Sequence, residues 1–169
     1  MTLKEFTQSV WPFKDKLYRF AYRLVGNGPE AEDVVQEVLM KLWTKKHELH
    51  QYQNLEAWCM KMTRNKSIDQ LRTRKHRLGG MPQGMDCPDD GVTPYQHTAQ
   101  KDTFRHINNM MQQLPEKQRL TMQLRDMEGM TYKEISEILD ISMNQVKVNL
   151  FRARKHIRQL LINQQTYGR

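Results

Sequence analysis

The 169-residue chain carries 27 Lys and Arg against 19 Asp and Glu, a formal net charge of +8, and this balance favours a polyanionic partner. No run approaches the about 18 apolar residues of a membrane span, and no charged segment leads into an apolar core at the N-terminus as in a secretory signal; a soluble, cytoplasmic protein is expected. The two cysteines, Cys59 and Cys87, fit neither a disulfide framework nor a paired zinc motif, so both are expected to be free thiols.

Leu3, Phe6 and Val10 predict a short opening helix that Pro12 interrupts or restarts. Phe13, Leu17, Phe20, Ala21 and Leu24 then repeat at helical spacing, and Gly26 can close that helix. Gly28 and Pro29 open the next one, with Glu30, Glu32 and Asp33 in the first turn, where the helix dipole favours negative charge. Its buried side is expected to hold Ala31, Val34, Val35, Val38, Leu39 and Leu42, and its other side Asp33, Gln36, Glu37 and Lys41. An acidic face in a basic protein repels nucleic acid. From the residues alone it is either an ordinary solvated face or one turned to a protein partner.

His47 to Gln53 read as a polar loop containing Leu49 and Tyr52, after which Asn54 is placed to cap a third helix. Leu55, Trp58, Cys59 and Met62 form its inward stripe, which fails at Lys66 and Asp69. Along another side run Lys61, Asn65, Ile68, Arg72 and Lys75, a basic track suited to a groove or strand backbone. Within it Asn65 could read a base edge.

Between Gly79 and Thr98 the composition turns to Gly, Pro and Asp without helical period, as in a flexible acidic linker. The expected architecture is all-α: a helical domain over residues 1–78, a linker over 79–101 and a second helical domain over 102–169. Phe104, Ile107, Met111 and Leu114 open the second domain. Pro115 starts a helix with Leu120, Leu124 and Met127 inward, which Gly129 ends. Then come two helix starts in tandem. Thr131 with Glu134, and Ser142 with Gln145, can each form a reciprocal cap, while Met130 with Ile135 and Ile141 with Val146 can close hydrophobic staples. Only a tight turn fits between them, which predicts a helix-turn-helix. Asp140 stands where such turns usually place glycine. Val146, Leu150, Ala153, Ile157 and Leu160 face inward on the last helix; Met143, Asn144, Lys147, Val148, Phe151, Arg152, Arg154, Lys155 and Arg158 remain outward. No carboxylate follows Ser142, so this face is suited to phosphate.

Taken together, these stretches resemble the extracytoplasmic-function group of bacterial RNA polymerase sigma factors over nearly the whole chain. GPEAEDVVQEVLMKLW looks like that family's polymerase-binding helix, AWCMKMTRNKSIDQLRTRK like its helix reading the −10 element, and LPEKQRLTMQLRDMEGMTYKEISEILDISMNQVKVNLFRARK like its −35 domain. The resemblance implies that Asp33, Gln36 and Glu37 face the clamp helices of the largest subunit of core RNA polymerase. It implies that Asn65, with Leu49 and Tyr52, receives a base flipped from the −10 element, flanked by the basic Lys61 and Arg72. Lys147, Val148, Phe151 and Arg152, with Asn144, fall where the family meets the −35 element. Lys66 and Ser136 stand where apolar or alanine residues are usual, and Asn144 and Gln145 where a small residue and threonine are common.

The expected function is promoter-directed transcription initiation, with core polymerase and promoter DNA as partners. An anti-sigma factor, frequently membrane-anchored in the family, is a further implied partner. No catalytic residue, metal, cofactor or membrane insertion is expected. A free-standing helix-turn-helix regulator would need a dimer seam, and no long apolar heptad offers one, so no obligate homo-oligomer is expected. A nuclease would need clustered carboxylates or an activated nucleophile, and the lone pair His47 and His50 lacks further ligands.

Overall fold

In the computed structural model, which describes residues 2–79 and 98–167, every regular element is helical. The helices are α1 (Leu3–Val25), α2 (Gly28–Thr44), α3 (Leu55–Arg77), α4 (Thr98–Gln112), α5 (Glu116–Met122), α6 (Tyr132–Leu139) and α7 (Met143–Tyr167). They belong to two compact units, Met1–Gly91 and Val92–Arg169. The expected linker and Cys87 lie, for residues 80–97, outside the described residues, while residues 98–101 belong to α4 rather than to a linker.

In the first unit α1, α2 and α3 pack against one another. Thr2 starts α1 with a capping box, its hydroxyl accepting from the Glu5 N–H at 3.3 Å and the Glu5 carboxylate from the Thr2 N–H at 2.7 Å. The helix runs unbroken through Pro12, contrary to the expected interruption. Proline removes the bond to the Gln8 carbonyl, but Gln8 and Pro12 are both exposed, so water can take that bond. Continuity carries Phe6 and Val10 into the same buried stripe as Phe13, Leu17 and Phe20. Gly26 ends α1 at a φ of 82°, and Val25 rather than Leu24 fills the last core position.

The Asn27 carboxamide then accepts from the Glu30 N–H at 2.9 Å and starts α2. Ala31, Val34, Val35, Val38 and Leu42 face the core, which leaves the opposite side of α2 to solvent. Asn54 caps α3 in the same way through the Ala57 N–H at 2.9 Å. Its buried face is Ala57, Cys59, Met60, Met62, Thr63 and Ser67, more polar towards the C-terminal end. The Thr63 hydroxyl is satisfied by the Cys59 carbonyl at 2.9 Å. Burial pushes the Cys59 thiol up to about 12, so it stays protonated and unreactive at neutral pH.

The second unit is built around α7. Met110, Met111 and Leu114 of α4 close on Ala153 and Ile157, while Leu120, Leu124, Ile135, Ile138, Val146 and Leu150 are buried as well. The helix expected from Pro115 to Gly129 changes pitch: α5 ends at Met122 and passes into a π-helical turn over Gln123–Met127. Its mark is the Glu128 N–H bonding the Gln123 carbonyl at 3.1 Å. The wider turn brings Gln123 and Glu128 together, both nearly fully buried, and the Gln123 amide donates to the Glu128 carboxylate at 3.0 Å.

Candidate nucleic-acid interface

The turn between α6 and α7 is fixed at both ends. Thr131 and Glu134 exchange bonds at 3.2 and 2.7 Å, and Ser142 and Gln145 at 3.1 and 2.9 Å. Both expected caps are present, and each satisfies two N–H groups that would otherwise lack partners. Met130, Ile135 and Val146 are buried beneath them. Asp140 occupies the left-handed region at φ 52°, ψ 47°, the conformation for which glycine is usual and which Asp tolerates better than most residues. Ser136 adds a bond that no spacing rule announced: its hydroxyl donates to the Ile141 carbonyl at 2.6 Å and ties the turn to α6.

This scaffold holds α7 with Val146, Leu150, Ala153 and Ile157 inward. Asn144, Lys147, Val148, Phe151, Arg152, Lys155 and Arg158 are exposed together on its other side. Phe151 keeps 69% of its surface open, unusual for a large apolar side chain. Lys147, Phe151, Arg154, Lys155 and Arg158 line a groove with Leu150 and with Tyr132 of α6. Arg154 is gripped by the Asp126 carboxylate through two bonds, Nε to Oδ2 at 3.1 Å and Nη2 to Oδ1 at 2.5 Å. Nearby, Arg125 donates to the Met130 carbonyl at 2.7 Å and lies 5.0 Å from the Tyr132 ring centre.

On the first unit Asp33, Gln36, Glu37 and Lys41 are all exposed on α2, as the apolar stripe required. Glu37 forms an ion pair with Lys66 of α3, so the residue that breaks α3's apolar pattern is used to join the two helices. Along α3, Asn65, Arg72 and Lys75 are exposed and Lys61 and Ile68 half-buried. Arg74 is turned inward, bonding the Val25 carbonyl at 3.1 Å and Glu30 at 3.2 Å. Leu49 and Tyr52 part company: Leu49, in a short 3-10 turn over Leu49–Gln51, is 5% exposed and serves as core. Tyr52 is half-buried and stacks on Trp58 with ring centres 4.3 Å apart.

Known proteins combine the same two parts. The model of sigma-70 region 2 matches residues 12–77 and that of sigma-70 region 4 matches residues 105–157. The extracytoplasmic-function (ECF) RNA polymerase sigma factor SigW of Bacillus subtilis (strain 168) is 27% identical over 158 residues, which span 88% of this chain and 84% of that protein. The ECF RNA polymerase sigma factor SigE of Mycolicibacterium smegmatis is 30% identical over 149 residues, spanning 87% of this chain and 58% of the relative. Among solved structures, the sigma factor RpoE of Bartonella quintana, crystallised with the anti-sigma factor NepR, superimposes with a TM-score of 0.78 at 26% identity. That match covers 94% of this chain and 98% of RpoE. With both regions matched in order and relatives of one group aligned over most of the chain, this protein belongs to the sigma-70 family, in its extracytoplasmic-function group.

Proposed function

We propose that this sigma factor divides its work among three helices: α2 grips core RNA polymerase, α3 engages the −10 element and α7 reads the −35 element. As a member of its family the chain directs polymerase to promoters and is not itself an enzyme. What carries the division of labour is the solvent side of α7, where Lys147, Val148, Phe151, Arg152 and Asn144 stand exposed on a doubly capped helix-turn-helix without a carboxylate on the helix. Cations there fix the helix to phosphates, and Arg152 can offer a bidentate fork to a base edge.

On α2 the exposed Asp33, Gln36 and Glu37 suit a cationic protein surface, for which the clamp helices of the largest polymerase subunit are the reading. On α3, Asn65 is exposed near the half-buried Lys61, with Arg72 two turns further on. Asn65 and Tyr52 receive a base extruded from the −10 element, and Leu49 underpins the loop from the core. Extrusion costs a few kcal/mol of stacking, which a polar pocket and an aromatic wall offset. Residues 1–78 then act as region 2 and the helices from Thr98 onward as region 4, joined by the stretch between them. No helix among the described residues is long and apolar enough to cross a membrane, and the work is that of a cytoplasmic protein. RpoE was solved with NepR, and CnrH, which shares this fold with a TM-score of 0.66 at 21% identity, with the cytosolic domain of CnrY. An anti-sigma protein is accordingly a partner of this chain too.

The test is a pull-down with core polymerase followed by run-off transcription on genomic fragments. Arg152→Ala should lower promoter-dependent transcripts while core binding persists. Full activity of that variant would remove α7 from the reading.

A further inference from the structure

Lys147, Phe151, Arg154 and Arg158 form one row along α7, a residue at each turn, and Arg154 stands inside it. It is held unlike its neighbours. The two bonds it donates to Asp126 commit the Nε–Nη2 edge of the guanidinium, the edge a phosphate would use, to a carboxylate of its own unit. The two side chains keep 48% and 30% of their surface, so the pair sits at the rim of the groove and within reach of a ligand lying there. Asp126 belongs to the π-helical turn, which the buried Gln123–Glu128 bond holds in its widened form. In the same turn Arg125 is committed to the Met130 carbonyl and the Tyr132 ring.

We propose that Asp126 is a positioning residue that withholds Arg154 from the DNA backbone: the pair pins the middle of α7 to the π turn, and phosphate is met by Lys147, Lys155 and Arg158 instead. A backbone phosphate approaching Arg154 meets a neutral ion pair whose carboxylate repels it. The charge of α7 available to DNA is therefore one less than its composition suggests, and the helix is fixed in orientation before DNA arrives. The inference rests on α7 being the DNA-facing helix.

Each phosphate neutralised adds about 0.9 to the steepness of log K against log salt, a change of about three- to four-fold in affinity between 50 and 200 mM salt. The full chain is titrated with a short random-sequence duplex over a salt series, with helicity checked by circular dichroism. Asp126→Asn should free Arg154 and steepen the slope by about 0.9. Arg154→Gln alone should leave the wild-type slope, as should Asp126→Glu and the double variant Asp126→Asn with Arg154→Gln. Lys155→Gln should flatten it by about 0.9. The proposal is overturned if Arg154→Gln flattens the slope as Lys155→Gln does, or if the steepening by Asp126→Asn persists in the double variant, since the effect then belongs to Asp126's own charge. Should Asp126→Asn fail to fold, the comparison of Arg154→Gln with Lys155→Gln still decides. An unchanged slope in both Lys147→Gln and Lys155→Gln would instead remove α7 as the DNA-facing helix, and the proposal with it.

Discussion

α3 and α7 are both long, both rich in Lys and Arg, and both suggested as DNA-facing, yet they use their charge differently. On α3 much of it is turned towards the protein: Lys66 pairs with Glu37, and Arg74 holds Glu30 and the end of α1. On α7 the pairing falls on Arg154, while Lys147, Arg152, Lys155 and Arg158 project from a helix that lacks any carboxylate. α7 also packs against other helices, α4, α5 and α6, but through one stripe, Val146, Leu150, Ala153 and Ile157, and its cations lie off that stripe. Binding through α7 should therefore depend steeply on salt, whereas α3 is coupled to the acidic face of α2 through a residue next to Asn65.

The sharpest break of that comparison is at the coupling point. Reversing Asp33 and Glu37 to Lys places two cations where a cationic partner is proposed and sets one of them against Lys66. Core association should be lost in a pull-down, whereas Arg152→Ala should leave it intact. Retention of polymerase by the reversed protein would detach the acidic face from docking altogether.

Next in size is a cavity beneath α7. Leu150 is 2% exposed, and truncation of such a residue typically costs about 2–5 kcal/mol. Leu150→Ala should lower the melting transition of the second unit and leave that of the first in place, which calorimetry can follow. A joint shift would mean the two units do not unfold independently. Smaller in energy but direct in function is Arg152→Ala: a bidentate base contact discriminates by about 1–3 kcal/mol, so run-off transcription should fall by roughly five- to 150-fold. An unchanged yield would place sequence reading elsewhere on α7.

What was readable in the sequence was local. The reciprocal caps of Thr131 with Glu134 and Ser142 with Gln145 join residues three apart, and the apolar stripes of α2 and α7 repeat every turn, so spacing alone locates them. Pro12 does not break α1 because its effect depends on which face it occupies, and that face is open to water, which spacing alone does not show. Leu49 stands in a polar loop with no apolar stripe around it, so spacing does not mark it as buried. Arg154 and Asp126 are 28 residues apart, and the π turn that presents Asp126 has no residue pattern of its own. The proposed sites were thus legible as stripes of charge, but which charges are already engaged was not.

Ser136 sharpens the point on the smallest scale, because two effects of comparable size oppose each other there. Its hydroxyl bonds the Ile141 carbonyl at 2.6 Å across the turn, and a bond of this kind contributes about 1 kcal/mol net. Alanine, the better helix former, would return up to about 0.5 kcal/mol in α6. The bond should win by a few tenths, so Ser136→Ala should lower the melting temperature of the second unit by about 2–4 °C, given about 4–8 °C per kcal/mol for a domain of this size. A rise instead would show that the turn between α6 and α7 is held by its caps and staples alone, and that the left-handed Asp140 needs no tether from Ser136.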